Sequence, residues 1–140
     1  MSSEHIFIEH TADIAFDVFA DSFEELFIES ARAWRISVVG DVAGKALSNR
    51  LINLTAESLE ELLVNFLNEL NYLLTTKKWL GVIFNNLLID KKNFLLSANI
   101  SGFLIDGSIE IKEEFKSATY HQMDIVQSGS KYSTRVVFDI

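Results

Sequence analysis

The 140-residue chain contains no cysteine and no proline, and glycine occurs only six times. The absence of cysteine excludes disulfides, thiolate zinc sites, iron–sulfur clusters and thiol nucleophiles, and it fits a reducing compartment. We therefore expect no thiol cofactor, and we expect no haem. The absence of proline excludes proline-rich linkers and recognition arms. A chain of this length buries roughly two-thirds of its unfolded surface, so a hydrophobic core suffices for folding.

Long apolar segments are also missing. No run reaches the roughly 18 uninterrupted apolar residues that a membrane-spanning helix needs. Met1–Glu9 contains neither the cationic stretch nor the long apolar stretch of a secretory signal. These absences predict a cytoplasmic protein that makes no membrane contact.

Basic residues are scarce, since 12 Lys and Arg stand against 20 Asp and Glu, for a formal net charge of −8. This balance argues against binding of naked nucleic acid by charge, because such binding depends on cationic neutralisation of phosphates. An acidic surface suits hard cations, or the basic surface of a partner that itself handles nucleic acid. Any contact with nucleic acid is therefore expected to be indirect.

The first forty residues predict two strands followed by a helix. Ile6–Ile8 is a short apolar run, and apolar residues alternate along Ile14–Ala20 with the period of two of a half-buried strand. Helical spacing begins after Ser22, which forms a capping box with Glu25. We expect this helix to end before Gly40.

A second unit resembles the first. Ala56–Leu63 matches Ala20–Phe27 in character at every position, which predicts a second capped helix after a second strand. The apolar stripe of this second helix predicts a solvent-facing side on the opposite face. That side is formed by Glu60, Glu61, Asn65, Asn68 and Asn71. The similarity reflects either an internal duplication or two uses of a common strand-to-helix arrangement. Its extension upstream of the cap favours duplication.

The rest of the chain predicts strands. Short apolar runs separated by polar residues and glycine occupy Leu80–Phe84, Leu87–Ile89, Phe94–Ile100 and Phe103–Ile105. A strand at Phe115–His121, continuing through Met123 and Ile125, follows. Gln127–Ser130 predicts a hairpin turn before the last strand. Two helices among many strands, without a strict β-α-β rhythm, predict an α+β fold. We expect a single domain over residues 1–140, with two amphipathic helices packed on a largely antiparallel sheet.

The segment Glu9–Asp13 is a compact polar group between two apolar strands. On residue pattern alone, an ordinary turn with an exposed His10 is the simpler interpretation, since Thr and Asp are good turn formers. The functional interpretation is a carboxylate, Asp13, held on rigid strands beside an imidazole.

The end of the sequence, Phe138–Ile140, offers a second candidate. If the last strand is held in a sheet, the Asp139 side chain and the Ile140 α-carboxylate lie a few ångströms apart and repel unless a cation intervenes. If Asp13 reaches the same corner, three carboxylates without a thiol favour Ca²⁺, Mg²⁺ or Mn²⁺ over zinc. The alternative is an ordinary edge-strand charge beside a solvated terminus.

A third candidate is the strand at Lys116–His121. Lys116, Ala118 and Tyr120 are predicted on one face, and His121 on the other face with Ser117 and Thr119. Lys116 and His121 could contact a phosphate or an acidic partner surface. Such residues are otherwise the ordinary polar face of an antiparallel sheet.

Enzyme motifs are otherwise missing. The sequence has no P-loop, no dinucleotide-binding glycine pattern, no Gly-x-Ser-x-Gly elbow and no His-Glu-x-x-His. A metal-dependent hydrolase would use the three carboxylates to activate water, but the only base in prospect is His10. A metal-free chaperone or scaffold remains a further alternative.

The chain resembles the archease family. The resemblance rests on Glu9–Ile14, Ser22–Phe27, Phe66–Leu70, Glu114–His121 and the terminal Phe138–Ile140, in this order over essentially the whole chain. Archeases are small accessory proteins of the tRNA-splicing RNA ligase. They promote its guanylylation and restore its turnover without themselves sealing RNA.

The resemblance implies a non-enzymatic activator whose partner is this ligase. It implies a divalent-cation site at Asp13, Asp139 and the Ile140 carboxylate, with calcium the expected ion and Mg²⁺ or Mn²⁺ as alternatives. It also implies partner contacts by Lys116 and His121, and His10 is a further candidate to face the partner or RNA. One departure is Ser58, where many relatives have an acidic residue that Glu57 could replace here.

Overall fold

The computed structural model describes residues 2–8, 13–40, 48–119 and 123–140. These ranges contain two helices and nine strands. Their order is β1 (Ser3–Ile8), β2 (Asp13–Ala20), α1 (Phe23–Val39), β3 (Ser48–Thr55), α2 (Leu59–Thr75), β4 (Trp79–Ile83), β5 (Leu87–Asp90), β6 (Leu95–Leu104), β7 (Ser117–Thr119), β8 (Val126–Ser128) and β9 (Lys131–Asp139).

The strands form two antiparallel sheets. In the first, the order is β1-β2-β9-β7 and β8 also pairs with β9; in the second, it is β3-β6-β4 and β5 also pairs with β6. Both helices contact strands of both sheets. The predicted α+β fold with two helices on antiparallel strands is confirmed, and the one expected sheet is divided into two.

The helices lie between the sheets, and their burial reflects this position. Ten of the residues of α1 are buried, including the large side chains of Phe27 and Trp34, and α2 buries Phe66 and a series of leucines. A helix covered on two sides buries a wider arc than one lying on a single sheet. As predicted, α1 ends before Gly40, at Val39, and the φ of 74° at Gly40 suits a residue without a side chain. No helix in the described ranges has the length and apolarity to cross a membrane.

Two sets of elements that interleave along the chain are alike in structure. Helices α1 and α2 are both 17 residues long and start 36 positions apart, at Phe23 and Leu59. Glu24 accepts a hydrogen bond from the Ile89 backbone N–H at 3.2 Å, and Glu60 accepts one from Ile125 at 3.0 Å, each across 65 residues of chain. Strands β6 and β9 each pair with three others. The origin of this equivalence by duplication stays a prediction.

Strand β6 corrects one prediction. The runs Phe94–Ile100 and Phe103–Ile105 were expected to be separate strands, but β6 continues through Gly102. Gly102 lies so close to β4 that a Cβ atom would collide with the carbonyl oxygen of Leu80. The glycine therefore permits close approach of two strands, whereas the sequence pattern suggested a break.

Ser58 caps α2. Its hydroxyl accepts the backbone N–H of Glu61 at 3.0 Å, while the Glu61 carboxylate accepts the backbone N–H of Glu57 at 2.7 Å. The backbone of Glu57 thus takes part in the cap, and Ser58 has a structural role that accounts for its presence here.

Replacing this cap should lower stability. We expect Ser58→Ala to reduce the free energy of unfolding by about 1 kcal/mol, because one N–H of the first helical turn loses its acceptor. Ser58→Asp should retain the wild-type value, because aspartate caps equally well. Urea denaturation followed by circular dichroism measures both, and an equal loss in the two variants would contradict the capping role.

Candidate functional site

The first residue of β2 and the last residue of β9 lie side by side in the first sheet. The antiparallel register of β2 and β9 places Asp13 directly opposite Asp139, and β7 places Ser117 opposite Asp139 on its other side. Directly opposed residues share one face of a sheet, with Cβ atoms roughly 4.5–5.5 Å apart. The neighbouring Phe138 and Ala118 are buried in the core. Asp13, Asp139 and Ser117 therefore form a row on the outer face, away from the helices.

Asp13 and Asp139, hereafter the acidic pair, set two like charges opposite each other. Such a cross-strand pair is destabilising unless something neutralises it. Within the described ranges neither carboxylate has an ion-pair or hydrogen-bond partner. The pair therefore has the charge and the open position that a cation site requires.

The same two strands carry an ordinary charge pair for comparison. Asp17 lies opposite Arg135, and its carboxylate accepts hydrogen bonds from Nε at 2.8 Å and from Nη2 at 3.1 Å. The hydrogen bond from the Arg135 side chain to Asp17, together with the nearby negative charge, raises the pKa of Arg135. Four residues along each strand from the acidic pair, the sheet therefore places opposite charges across from each other. The like charges at Asp13 and Asp139 stand out against this arrangement.

The last strand is held up to its end. The backbone N–H of Lys116 donates to the carbonyl oxygen of Asp139 at 2.8 Å. Hydrogen bonds therefore hold the strand as far as Asp139, the residue before Ile140. The Ile140 side chain is 39% exposed and lines a cavity of about 850 Å³ together with Lys116. The condition that the last strand is held in a sheet is met up to Asp139, which pairs with Asp13 of β2 and Ser117 of β7.

The predicted site residues fall into three groups. Asp13 and Asp139 are brought together on the outer face. Ile140 follows Asp139 directly, and Lys116 precedes Ser117 and shares a cavity wall with Ile140. His10 and His121 lie outside the described residues, so their predicted partner contacts stay predictions.

The donors present fit a hard cation. The acidic pair and the Ser117 hydroxyl supply oxygen only, which calcium, magnesium and manganese prefer. Within the described ranges, no three His, Cys, Asp or Glu side chains cluster as a metal site. The α-carboxylate of Ile140, which the family resemblance implies as a third donor, stays a prediction.

Asn71 is misplaced by sequence reasoning, which assigned it to the solvent-facing side of α2. It is only 5% exposed. Its Nδ2 donates to the carbonyl oxygen of Phe115 at 2.8 Å, and its Oδ1 accepts the Trp34 indole N–H at 3.1 Å. The error arises because α2 is covered on a second side, where the segment before β7 packs over Asn71.

Asn68 performs a similar role one helical turn earlier. Its Oδ1 accepts the backbone N–H of Ala118 at 2.6 Å, and its Nδ2 donates to the Ala118 carbonyl at 3.4 Å. Together Asn68 and Asn71 hold residues 115–118 against α2. This places Lys116 and Ser117 beside Asp139. The only sequence signal for this role was two asparagines three residues apart at the edge of an apolar stripe. Asparagines that face solvent give the same pattern, so the signal did not distinguish the two.

Comparison with known proteins identifies relatives of the chain. The model of the archease protein family matches residues 5–140. The protein archease of Pyrococcus abyssi is 35% identical over 138 residues, covering 94% of this chain and 95% of the relative. That of Methanosarcina barkeri is 28% identical over 143 residues, covering 98% and 96%.

Two solved structures share the fold. The solution structure of Methanobacterium thermoautotrophicum protein 1598 matches with a TM-score of 0.84 at 28% identity, covering 97% of this chain and 98% of that one. The crystal structure of an archease from Thermotoga maritima, described as a possible chaperone, matches with a TM-score of 0.66 at 27% identity, covering 95% and 94%.

Removing the Asn71 carboxamide should destabilise the fold. We expect Asn71→Leu to lower the free energy of unfolding by about 2–4 kcal/mol, because a buried indole N–H and a carbonyl lose their partners. Asn65→Ala is the matched control on the same helix. Because Asn65 has no hydrogen bond among the described residues, it should change stability by less than about 0.5 kcal/mol. Denaturant unfolding compares them, and equal effects would contradict the assignment.

Proposed function

The chain belongs to the archease family, and on that premise we propose that it activates the tRNA-splicing RNA ligase as a metal-binding accessory factor. In this proposal it promotes guanylylation of the ligase and multiple turnover, and is not itself an enzyme. The observation that carries the proposal is the position of Asp13 opposite Asp139, one residue from Ile140. These are the residues that the family resemblance implies for the cation site.

The acidic pair supports a cation as the ligand. Two carboxylates held opposite each other on rigid strands keep their repulsion in every conformation of the folded state. A bound divalent cation would supply the positive charge that offsets it. On this chain, β2 and β9 fix the two carboxylates, and the contact between Lys116 and Asp139 fixes the strand end beside Ile140.

The charge of the whole chain supports a basic partner. A net charge of −8 favours encounter with a positively charged surface such as that of an RNA-binding enzyme. The exposed Lys116 lies at the same sheet end as the acidic pair and is placed to contact an acidic group or phosphate at that surface. This chain therefore contacts the ligase, and RNA only through it.

A metal-free chaperone is the second candidate, because the related Thermotoga maritima structure is described as a possible chaperone. The two candidates differ in one simple measurement. An accessory factor with a cation site should give saturable heat in a calcium or manganese titration by calorimetry, and a metal-free scaffold should give none.

The acidic pair can be tested without the ligase. Without metal, Asp13→Asn and Asp139→Asn should have a free energy of unfolding equal to or higher than that of wild type, because each removes a repulsive charge. Excess calcium should stabilise wild type by about 2–3 kcal/mol at a hundredfold excess over Kd, and neither variant. Asp17→Asn is the control of opposite sign. It should lose a little stability, because its contacts to Arg135 are lost, yet keep the response to calcium. Equal calcium responses in all four proteins would exclude the site.

Ligase activation gives the functional test. At limiting metal, the wild-type protein should accelerate guanylylation of its cognate ligase and allow multiple turnover, whereas Asp13→Asn and Asp139→Asn should not. Asp17→Asn should activate normally. Full activation by both acidic-pair variants would show that the site assignment is wrong.

The terminal carboxylate has its own test. A Gly-Ser extension after Ile140 moves the α-carboxylate away from Asp139, so calcium affinity and ligase activation should both fall. Because the extension leaves β9 intact, thermal unfolding without metal should be unchanged. Unaltered calcium affinity in the extended protein would count against the carboxylate as a ligand.

A further inference from the structure

The cavity beside Ile140 collects positive charge in an acidic protein. We define the lysine cavity as the space of about 850 Å³ that Lys78, Lys112 and Lys116 line. These are three of the eight lysines of the chain. Among the described residues, none of the three forms an ion pair, and no arginine lines the cavity. In a chain with a net charge of −8, three cations around one cavity without a carboxylate partner need an explanation.

Lys78 has a backbone conformation that favours glycine. Its φ of 57° lies in the left-handed region, and glycine is the usual residue there shortly after the end of a helix. The backbone is nevertheless fixed, because the Lys78 carbonyl oxygen accepts the N–H of Ile105 at 2.8 Å. Lys78 Nζ donates to the Thr75 carbonyl oxygen at 3.0 Å, which leaves two ammonium hydrogens for a ligand. Backbone strain that the surrounding structure maintains is typical of binding sites.

Lys112 reaches the cavity across the end of α1. Its backbone N–H donates to the carbonyl oxygen of Val38 at 2.7 Å. A Cβ atom on Gly40 would lie 2.7 Å from Lys112 Nζ, so the missing side chain at Gly40 leaves the space that the ammonium group occupies. The fold therefore fixes Lys112 on one wall of the cavity, as the hydrogen bond to Asp139 fixes Lys116.

The rest of the lining is apolar apart from two carboxylates and a few neutral polar groups. Leu74 and Phe115 are buried in its wall, and Ile111 is 36% exposed. Glu113 and Glu114 also line the cavity, and neither forms an ion pair within the part of the chain that the structure describes. Small-molecule sites have volumes of roughly 300–1,000 Å³. The cavity thus offers cations, hydrogen-bond acceptors and apolar surface to one ligand of that size.

We propose that the lysine cavity binds a nucleoside polyphosphate, with the phosphates at the lysines and the base on the apolar lining. Separate ammonium groups match a chain of phosphates as point charges, whereas the planar guanidinium group that suits a single carboxylate does not line the described cavity. Glu113 and Glu114 repel a bare polyphosphate, but they can accept the amino hydrogens of a base. The proposal does not depend on the proposed function, since it involves neither the acidic pair nor the ligase.

Calorimetric titration tests the ligand class, with EDTA present so that no cation takes part. The probes are ATP, GTP, CTP, UTP, tripolyphosphate and adenosine. At least one triphosphate should bind wild type with a Kd of about 10–500 µM, and more weakly as the salt concentration rises. Tripolyphosphate and adenosine should each bind at least about tenfold more weakly, because each makes only part of the contacts. Absence of binding by all four triphosphates, or tripolyphosphate binding as tightly as they do, would overturn the proposal.

Lys78→Met and Lys112→Met test the lysines. Each should raise the Kd of the bound triphosphate about tenfold, because one charge-assisted hydrogen bond is lost. Lys77→Met is the matched control, since Lys77 is the exposed neighbour of Lys78, does not line the cavity, and loses the same charge. It should leave the Kd within about twofold of wild type. Equal weakening in all three variants would indicate a general effect of charge and contradict the site.

The lysines also lie near helix ends, where cations offset the helix dipole. If that is their only role, Lys78→Met and Lys112→Met will lower the free energy of unfolding and leave the Kd unchanged, and the proposal is wrong. Amide chemical shifts give an independent location. Addition of the bound triphosphate should move the signals of residues 74–78 and 111–116 most, and shifts confined to other segments would contradict the assignment.

Discussion

The antiparallel pairing of β2 with β9 is the constraint on which the candidate site depends. Its register joins residue 13 to residue 139 and thereby brings the start of β2 and the end of β9 together on two interior strands of the first sheet. The pairing is secured from the other side of the sheet by Phe138, which packs against Phe16 and stacks on Phe115 with ring centroids 4.4 Å apart. A core contact thus fixes a surface pair of like charges.

The repulsion between these charges is maintained by the rest of the fold. The helices lie between the two sheets, so neither strand can shift without disturbing buried aromatic side chains. On the far side, Asn68 and Asn71 hold residues 115–118 on α2, which sets β7 beside β9. Rigid placement of unfavourable charge is typical of sites that exist for a ligand and not for stability.

The two sheets have the same architecture but different outer surfaces. Glu24 and Glu60 make equivalent contacts to Ile89 and Ile125, so the inner layers are closely alike. The outer faces have diverged: one carries the acidic pair and the Asp17–Arg135 ion pair, whereas the other has asparagine, serine and leucine. Because outward side chains contribute little to the core, they are free to change while the fold is retained.

The sequence by itself determined the local elements and the types of residue at the site. Alternating apolar residues specify the strands, and helical spacing after a capping serine specifies the helices, because both signals are local. Asp13 and Asp139 were recognisable from their residue type and from the family pattern. Only the tertiary structure decided that the strands divide into two sheets, that Asn71 is buried, and that Asp13 faces Asp139. Those outcomes depend on which distant segments pack together, because the burial of a side chain is set by its neighbours in space.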